Sequence, residues 1–214
     1  MRQRRIRGGK DPDGHLSEWQ ISLDEKHSSH VNPDLVATLR MLDVGCGGGQ
    51  TLGALSGTVP RVGLDVDLAA LRLGPRVAPG CSFVCGRAEE LPFPSGSFDV
   101  VVSRVGLPYT HLSRSLAEVR RVLTPGGQLW AVFHPFRIPW AEARRGNWKS
   151  YIYFVYVVLS GLLLHVTSVQ LPLPGGGYES FQTEAGIRRL LRKAGFGRVS
   201  VKQEKHFVVM AQAN

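Results

Sequence analysis

The sequence predicts an α/β fold: a seven-stranded, mostly parallel sheet with helices on both faces and one antiparallel strand from a C-terminal hairpin. Three observations predict it. Short apolar runs alternate with amphipathic segments, the rhythm of strand–helix–strand units. One of these runs, Met41 to Val44, breaks into Gly45-Cys46-Gly47-Gly48-Gly49, four glycines in five residues, before a helix-like segment. Glycine turns tightly and lets a ligand approach the main chain without meeting a Cβ, so a strand, such a turn and a helix N-terminus together make a nucleotide-type site. The last two apolar runs, near 197–203 and 206–212, are separated by too few residues for a crossover and must pair antiparallel.

The elements follow in order. Residues 1–15, with Arg2, Arg4, Arg5 and Arg7, read as a basic, solvated tail, and 16–214 as a single domain. Residues 33–39 have helical character and lead into the strand at 41–44. A short helix is expected near 49–55, a second strand at 61–64 ending on Asp65, and a helix through Leu73 with Asp67 as its N-cap. Ser82 to Val84 make a third strand and Ser97 to Val102 a fourth, buried on both faces in its second half. Leu112, Leu116, Val119 and Leu123 give His111–Leu123 a helical period. Thr124-Pro125-Gly126-Gly127 ends that helix and turns into a fifth strand at 128–133. Thr183 to Ala194 form a further helix, stopped by Gly195. Residues 135–180 break the rhythm, being too long for a simple connection.

Composition narrows the class. The chain has 214 residues, enough for one α/β core, and 43% of them are hydrophobic, which excludes a disordered chain. The net charge of +9 raises nucleic acid and anionic membranes as partners. The three cysteines, Cys46, Cys81 and Cys85, lack framework or zinc spacing, which argues for reduced thiols, a cytoplasmic setting and no metal. The N-terminus has arginines and no apolar core of a secretory signal.

Asp65 lies 18 residues beyond Gly47, at the end of the second strand, where a carboxylate can accept both hydroxyls of a ribose. Gln50 stands where a dinucleotide fingerprint needs glycine or alanine, which turns the reading away from a nicotinamide dehydrogenase. Five segments in order carry a more specific likeness: Leu42-Asp43-Val44-Gly45-Cys46-Gly47-Gly48-Gly49, Gly63-Leu64-Asp65, Ala88-Glu89-Glu90-Leu91-Pro92-Phe93, Ser97-Phe98-Asp99-Val100-Val101, and the run from Glu118 to Gly127. Together they resemble the Rossmann-like class I S-adenosylmethionine-dependent methyltransferases, in the small-molecule branch that includes the ubiquinone and menaquinone type. The likeness covers about residues 35–134 and returns at 181–196.

That resemblance implies S-adenosylmethionine as cofactor and S-adenosylhomocysteine as product. It places Asp43 and the backbone of Gly45 and Gly47 at the methionine end, Asp65 on the ribose, Val66 against the adenine, Ala88 and Glu89 at the adenine edge, and Arg104 beside the methionine moiety. Arg87 is a departure, because the family commonly has an aspartate there that reads the adenine amino group, and arginine cannot accept a hydrogen bond. Either Glu89 substitutes or the backbone alone reads the adenine, with weaker binding expected. Methyl transfer needs in-line placement and, for a hydroxyl or acidic carbon, a general base. His134 and His111 are the candidates, each equally readable as a capping or packing residue; Tyr109 and Tyr178 are weaker ones.

Residues 151–166 are the most apolar stretch, preceded by Arg137, Arg144, Arg145, Lys149, Trp140 and Trp148. The run falls short of a membrane span. A buried helix or strand pair capping the site is the first reading, and peripheral membrane contact through 137–166 the second. An apolar, aromatic cap favours a lipophilic small-molecule acceptor. Pro172, Pro174 and Gly175-Gly176-Gly177 read as a flexible return. The alternatives are a nucleic-acid methyltransferase, disfavoured because Ser103-Arg104-Val105-Gly106 lacks the catalytic motif of amino-methylating enzymes, and a cofactor-binding module without catalysis.

Overall fold

The computed structural model describes residues 39–54, 60–104, 106–133, 148–173, 177–203 and 207–214, and of Lys149 the backbone alone. The expected tail at 1–15, the expected helix at 33–39 but for its last residue, and His134 lie outside the described residues. Among those described, seven strands form one sheet: β1 (Met41–Val44), β2 (Arg61–Asp65), β3 (Ser82–Cys85), β4 (Phe98–Arg104), β5 (Leu123–Phe133), β6 (Phe196–Gln203) and β7 (Phe207–Ala213). Their order is β3-β2-β1-β4-β5-β7-β6. All pairings are parallel except those of β7, which runs antiparallel to both β5 and β6.

The central strands β1, β4 and β5 are buried on both faces over most of their length, and their alternation sorts side chains onto two faces. Leu42, Val44, Val101, Leu129, Ala131 and Phe133 point into one core. Met41, Val100, Val102, Trp130 and Val132 point into the other. The first core is closed by α4 (Leu112–Val122), through Leu112, Leu116 and Val119, and by α6 (Glu184–Lys193), through Ile187, Leu190 and Leu191. Thr183 caps α6 by accepting from the Gly186 amide at 3.1 Å. The second core receives Leu52 from α1 (Gln50–Ala54).

One side-chain pair holds a long irregular segment to this frame. Glu118 on α4 accepts the Leu91 amide at 2.8 Å, while Arg121 donates to the carbonyls of Phe93 at 2.7 Å and Leu91 at 2.9 Å. The two side chains also pair with each other at 2.7 Å. The hydrogen bond to Arg121 holds the Glu118 carboxyl below its ordinary value. The stretch between β3 and β4 is thus pinned by an i, i+3 pair on one helix.

Three elements differ from expectation. The predicted helix from Asp67 to Leu73 is two short ones, α2 (Leu68–Leu71) and α3 (Gly74–Val77), because Pro75 lacks an amide and starts a helix instead of continuing one. Thr124-Pro125-Gly126-Gly127 is part of β5: Leu123 already pairs with Phe98, and an irregularity absorbs the extra residues before Gln128 meets Val100. Among its described residues the insertion contains one helix, α5 (Trp148–Thr167), of 20 residues. This exceeds the run read from sequence, and Ser150–Thr167 is long and apolar enough to cross a membrane by length and composition.

Replacing Arg121 with alanine takes the side-chain donor from the Phe93 carbonyl, one of two donors from the Leu91 carbonyl, and the ion-pair partner from Glu118. Allowing for partial solvent screening, the loss is about 2 kcal/mol, or a fall of roughly 4–8 °C in Tm by calorimetry. Because the folded-state pKa of Glu118 is depressed, its contribution is present above its unfolded value and lost as pH falls through the folded one. The deficit of the variant therefore shrinks in acid.

Candidate functional site

The strand order reverses between β1 and β4, and a crevice outside the carboxyl ends of the strands at that point is where an open α/β sheet takes a ligand. The glycine turn leaves β1 there. The amides of Gly45 and Cys46 both donate to the Leu64 carbonyl, at 2.8 and 3.1 Å, and Gly49 donates back to Cys46 at 2.9 Å. Gly45, Gly47 and Gly49 have φ of 77°, 53° and 83°. The turn also touches the segment leaving β4. A Cβ on Gly45 would lie 2.7 Å from the Gly106 Cα, and one on Gly106 would lie 2.7 Å from the Val44 carbonyl oxygen. Gly106 was not singled out as a site residue from sequence; the signal was a second glycine just past the neighbouring strand.

Asp65 ties the turn to the end of β2. Its Oδ2 accepts the Gly47 amide at 2.7 Å and its Oδ1 accepts the Asp67 amide at 2.9 Å. A carboxylate oxygen has two lone pairs, so each retains one. Asp67 caps α2 by accepting from Ala69 and Ala70. Beyond Asp65 the apolar side chain of Val66 is 66% exposed.

Asp43 is in a different state. It is 1% exposed, and neither carboxylate oxygen has a hydrogen-bond partner among the described residues. Burial pushes its carboxyl up to about 7; the Arg104 charge and the Thr51 hydroxyl act against that rise, and Asp65 adds to it. Arg104 ends β4, and burial lowers it from its ordinary value while Asp43 opposes. The thiol of Cys46 is pushed up by burial and by the two aspartates, which leaves it inert.

At the far side of the crevice Ala88 is buried, and Glu89 Oε1 accepts the His111 amide at 3.0 Å. The same oxygen meets the exposed Arg87 guanidinium at 3.4 Å. His111 is the N-cap of α4: its Nδ1 accepts the Arg114 amide at 3.4 Å, and its ring meets Tyr178 edge-on with centroids 5.0 Å apart. With Nδ1 accepting, the neutral ring carries its proton on Nε2. The next amide, Leu112, donates to the Gln170 side chain at 2.7 Å. The start of α4 therefore joins the segment of Ala88 and Glu89 to the insertion. Tyr109 lies in a single 3-10 turn, Leu107–Tyr109. Among the described residues no group of three or more His, Cys, Asp or Glu could hold a metal ion.

Comparison with known proteins places this architecture. Residues 42–131 match the family model described as a methyltransferase domain. The phthiotriol/phenolphthiotriol dimycocerosates methyltransferase 1 of Mycobacterium ulcerans (strain Agy99) is 41% identical over 115 residues, 51% of this chain and 41% of that protein. The chain thus spans less than half the length of that relative. The demethylmenaquinone methyltransferase of Lactococcus lactis subsp. lactis (strain IL1403) is 32% identical over 180 residues, 78% of this chain and 69% of its own length. The chain belongs to the class I S-adenosylmethionine-dependent methyltransferases. A solved S-adenosylmethionine-dependent methyltransferase from Mesorhizobium loti shares the fold, with a TM-score of 0.61 at 18% identity over 90% of this chain and 99% of that one. The cofactor of this methyltransferase class is S-adenosylmethionine.

Gly106→Ala forces the backbone of the glycine turn outward. It is expected to lower stability by about 1–3 kcal/mol and to weaken cofactor binding at the same time. An alanine at Gly80, where an added Cβ meets nothing within 4 Å but φ is 86°, is expected to cost stability through backbone strain and leave cofactor binding unchanged. Thermal melts and calorimetric titration of both variants check the contrast.

Proposed function

We propose that this chain transfers a methyl group from S-adenosylmethionine to a small lipophilic acceptor. The observation that carries the reading is Asp43, a buried carboxylate beside the glycine turn that the Arg104 charge and the Thr51 hydroxyl compensate only in part. A buried charge left partly uncompensated is costly, so the site suits a cation. The ammonium of the cofactor's methionine end has that charge. Asp65, with a lone pair left on each oxygen, suits a ribose diol, and the bare face of Val66 suits an adenine ring. The backbone of Gly45, Gly47 and Arg104, with Ala88 and Glu89, completes the cradle. The sulfonium of the bound cofactor supplies an electrophilic methyl group.

What falls to the chain is placement and removal of the acceptor's proton. His111 sits at the start of α4, held by its cap and by Tyr178, and His134 follows β5 in sequence. We assign general-base work to these two, His111 by releasing the Arg114 amide, which in the capped state occupies the one lone pair of its neutral ring. The relatives support a lipophilic acceptor, since their names specify phthiotriol and phenolphthiotriol dimycocerosates and demethylmenaquinone. The apolar insertion supports the same class.

Profiling with methyl-labelled cofactor against a lipophilic metabolite extract tests the reading. A labelled product is expected, and its fragmentation separates O-, C- and N-methylation. Failure to bind S-adenosylmethionine at near-millimolar concentration would overturn it. Replacing both His111 and His134 with alanine should lower turnover about 10²-fold or more while leaving cofactor affinity in place. Cofactor affinity itself should depend on pH. A cation favours the ionised form of Asp43, whose carboxyl titrates near 7 without it, so binding releases a proton below that pH. Affinity rises toward pH 7 and levels above it. Asp43→Asn weakens binding roughly 10- to 100-fold and removes the acid-side slope. Titration calorimetry in buffers of different ionisation enthalpy reads both effects.

A further inference from the structure

The helix of the insertion has two unlike faces. Its inner face is bound to the domain. Val157, Ser160 and Leu164 are buried, and Gly161 packs so close to the Phe181 ring that a Cβ there would lie 2.2 Å from it. His165 Nδ1 meets the Thr183 hydroxyl at 2.6 Å, and the Tyr153 hydroxyl bonds Glu179. Its outer face is apolar and uncovered among the described residues. Trp148, Ile152, Val155, Leu159, Leu162 and Val166 recur at alternating steps of four and three, which places them on one stripe. Trp148 and Val166, at its two ends, are each 68% exposed. At about 1.5 Å per residue the stripe is about 27 Å long. Only 22% of Ser150–Thr167 is buried.

Charge says what covers it. Residues 150–167 contain no Asp, Glu, Lys or Arg. Between residues 135 and 171 the chain carries four cations, Arg137, Arg144, Arg145 and Lys149, against one carboxylate, Glu142. At the other end of the helix, Arg189 donates to the Val166 carbonyl at 3.0 Å and the exposed Lys193 to Ser168 at 3.2 Å. An uncharged stripe with a tryptophan and cations at its ends complements an anionic lipid surface. A second copy brought against this face would set like charges together on a chain of net charge +9. A spanning pose would need the inner face stripped of its hydrogen bonds to Glu179 and Thr183.

We propose that α5 lies in the surface of an anionic bilayer, with its outer stripe among the acyl chains and the flanking cations at the headgroups. The end of this helix is stitched to the start of α4, where Ser113 donates to the Ser168 carbonyl at 3.2 Å and Leu112 to Gln170. The bilayer therefore abuts the edge of the sheet that carries the glycine turn. Bilayer binding needs neither cofactor nor acceptor, so its failure would leave the methyl-transfer reading untouched.

The test is co-sedimentation of the full chain with vesicles of phosphatidylcholine alone or mixed with phosphatidylglycerol. Binding is expected to the mixed vesicles, weakened severalfold in 0.5 M salt, on the order of the screening of a Debye-length interaction. Leu159→Glu and Val166→Glu change only exposed positions and should keep the wild-type melting temperature. Each should weaken partitioning by about tenfold or more. Brominated lipid should quench fluorescence that Trp148→Phe removes. No binding to mixed vesicles, or binding indifferent to both glutamates, overturns the proposal. So does a dimer in sedimentation velocity that Leu159→Glu dissolves, since the face then belongs to a second copy. Resistance to alkaline carbonate extraction from membranes also overturns it, in favour of a spanning helix.

Discussion

Where β1 ends, the main chain passes so close to the segment leaving β4 that no side chain fits between them. The contact of Gly45 with Gly106 sets the width of the crevice at the point where strand order reverses. Everything nearby is arranged around that approach. The Leu64 carbonyl takes two amides of the turn, Asp65 takes a third, and the turn is rigid before any ligand arrives. Asp43 is buried beside the turn, and burial, opposed only in part by the Arg104 charge and the Thr51 hydroxyl, pushes its carboxyl up to about 7. A turn whose amides are bonded thus sits beside a buried carboxylate whose pKa is displaced, a pattern found at functional sites.

The frame extends outward through polar contacts more than through core packing. The Glu118–Arg121 pair holds the segment from Leu91 to Phe93, and this segment follows directly on Ala88 and Glu89. On the opposite side, Gln170 and Ser168 secure the insertion to α4. The insertion thereby has a firm inner face, and its apolar outer face stands on a fixed mount.

What was legible in the sequence follows from how local each signal is. Strands β1 and β4 are apolar runs buried on both faces, and such runs declare themselves. Asp67, Thr183 and His111 are caps whose effect reaches only three residues. The bulged start of β5 was read as a turn because its Thr-Pro-Gly-Gly composition is that of a turn; its strand state depends on pairing with Phe98, 25 residues away. Pro75 was present to split the helix after Asp67, yet the apolar period across it masked the break. The length of α5 was understated because Trp148, Lys149 and Thr167 are not apolar enough to extend the run, though they continue the helix. Its exposure depends on what lies over it, which no period or composition records. The departure at Arg87 finds a local partner in Glu89, whose oxygen is shared with the His111 amide.

That shared oxygen has a mechanical consequence. The two amides that open α4 are consecutive, and they are satisfied from opposite directions, His111 by Glu89 and Leu112 by Gln170. Neither acceptor can withdraw without stranding a buried amide, at a cost of about 1–3 kcal/mol. Two consecutive peptide units therefore tie the segment of Ala88 and Glu89 to the insertion.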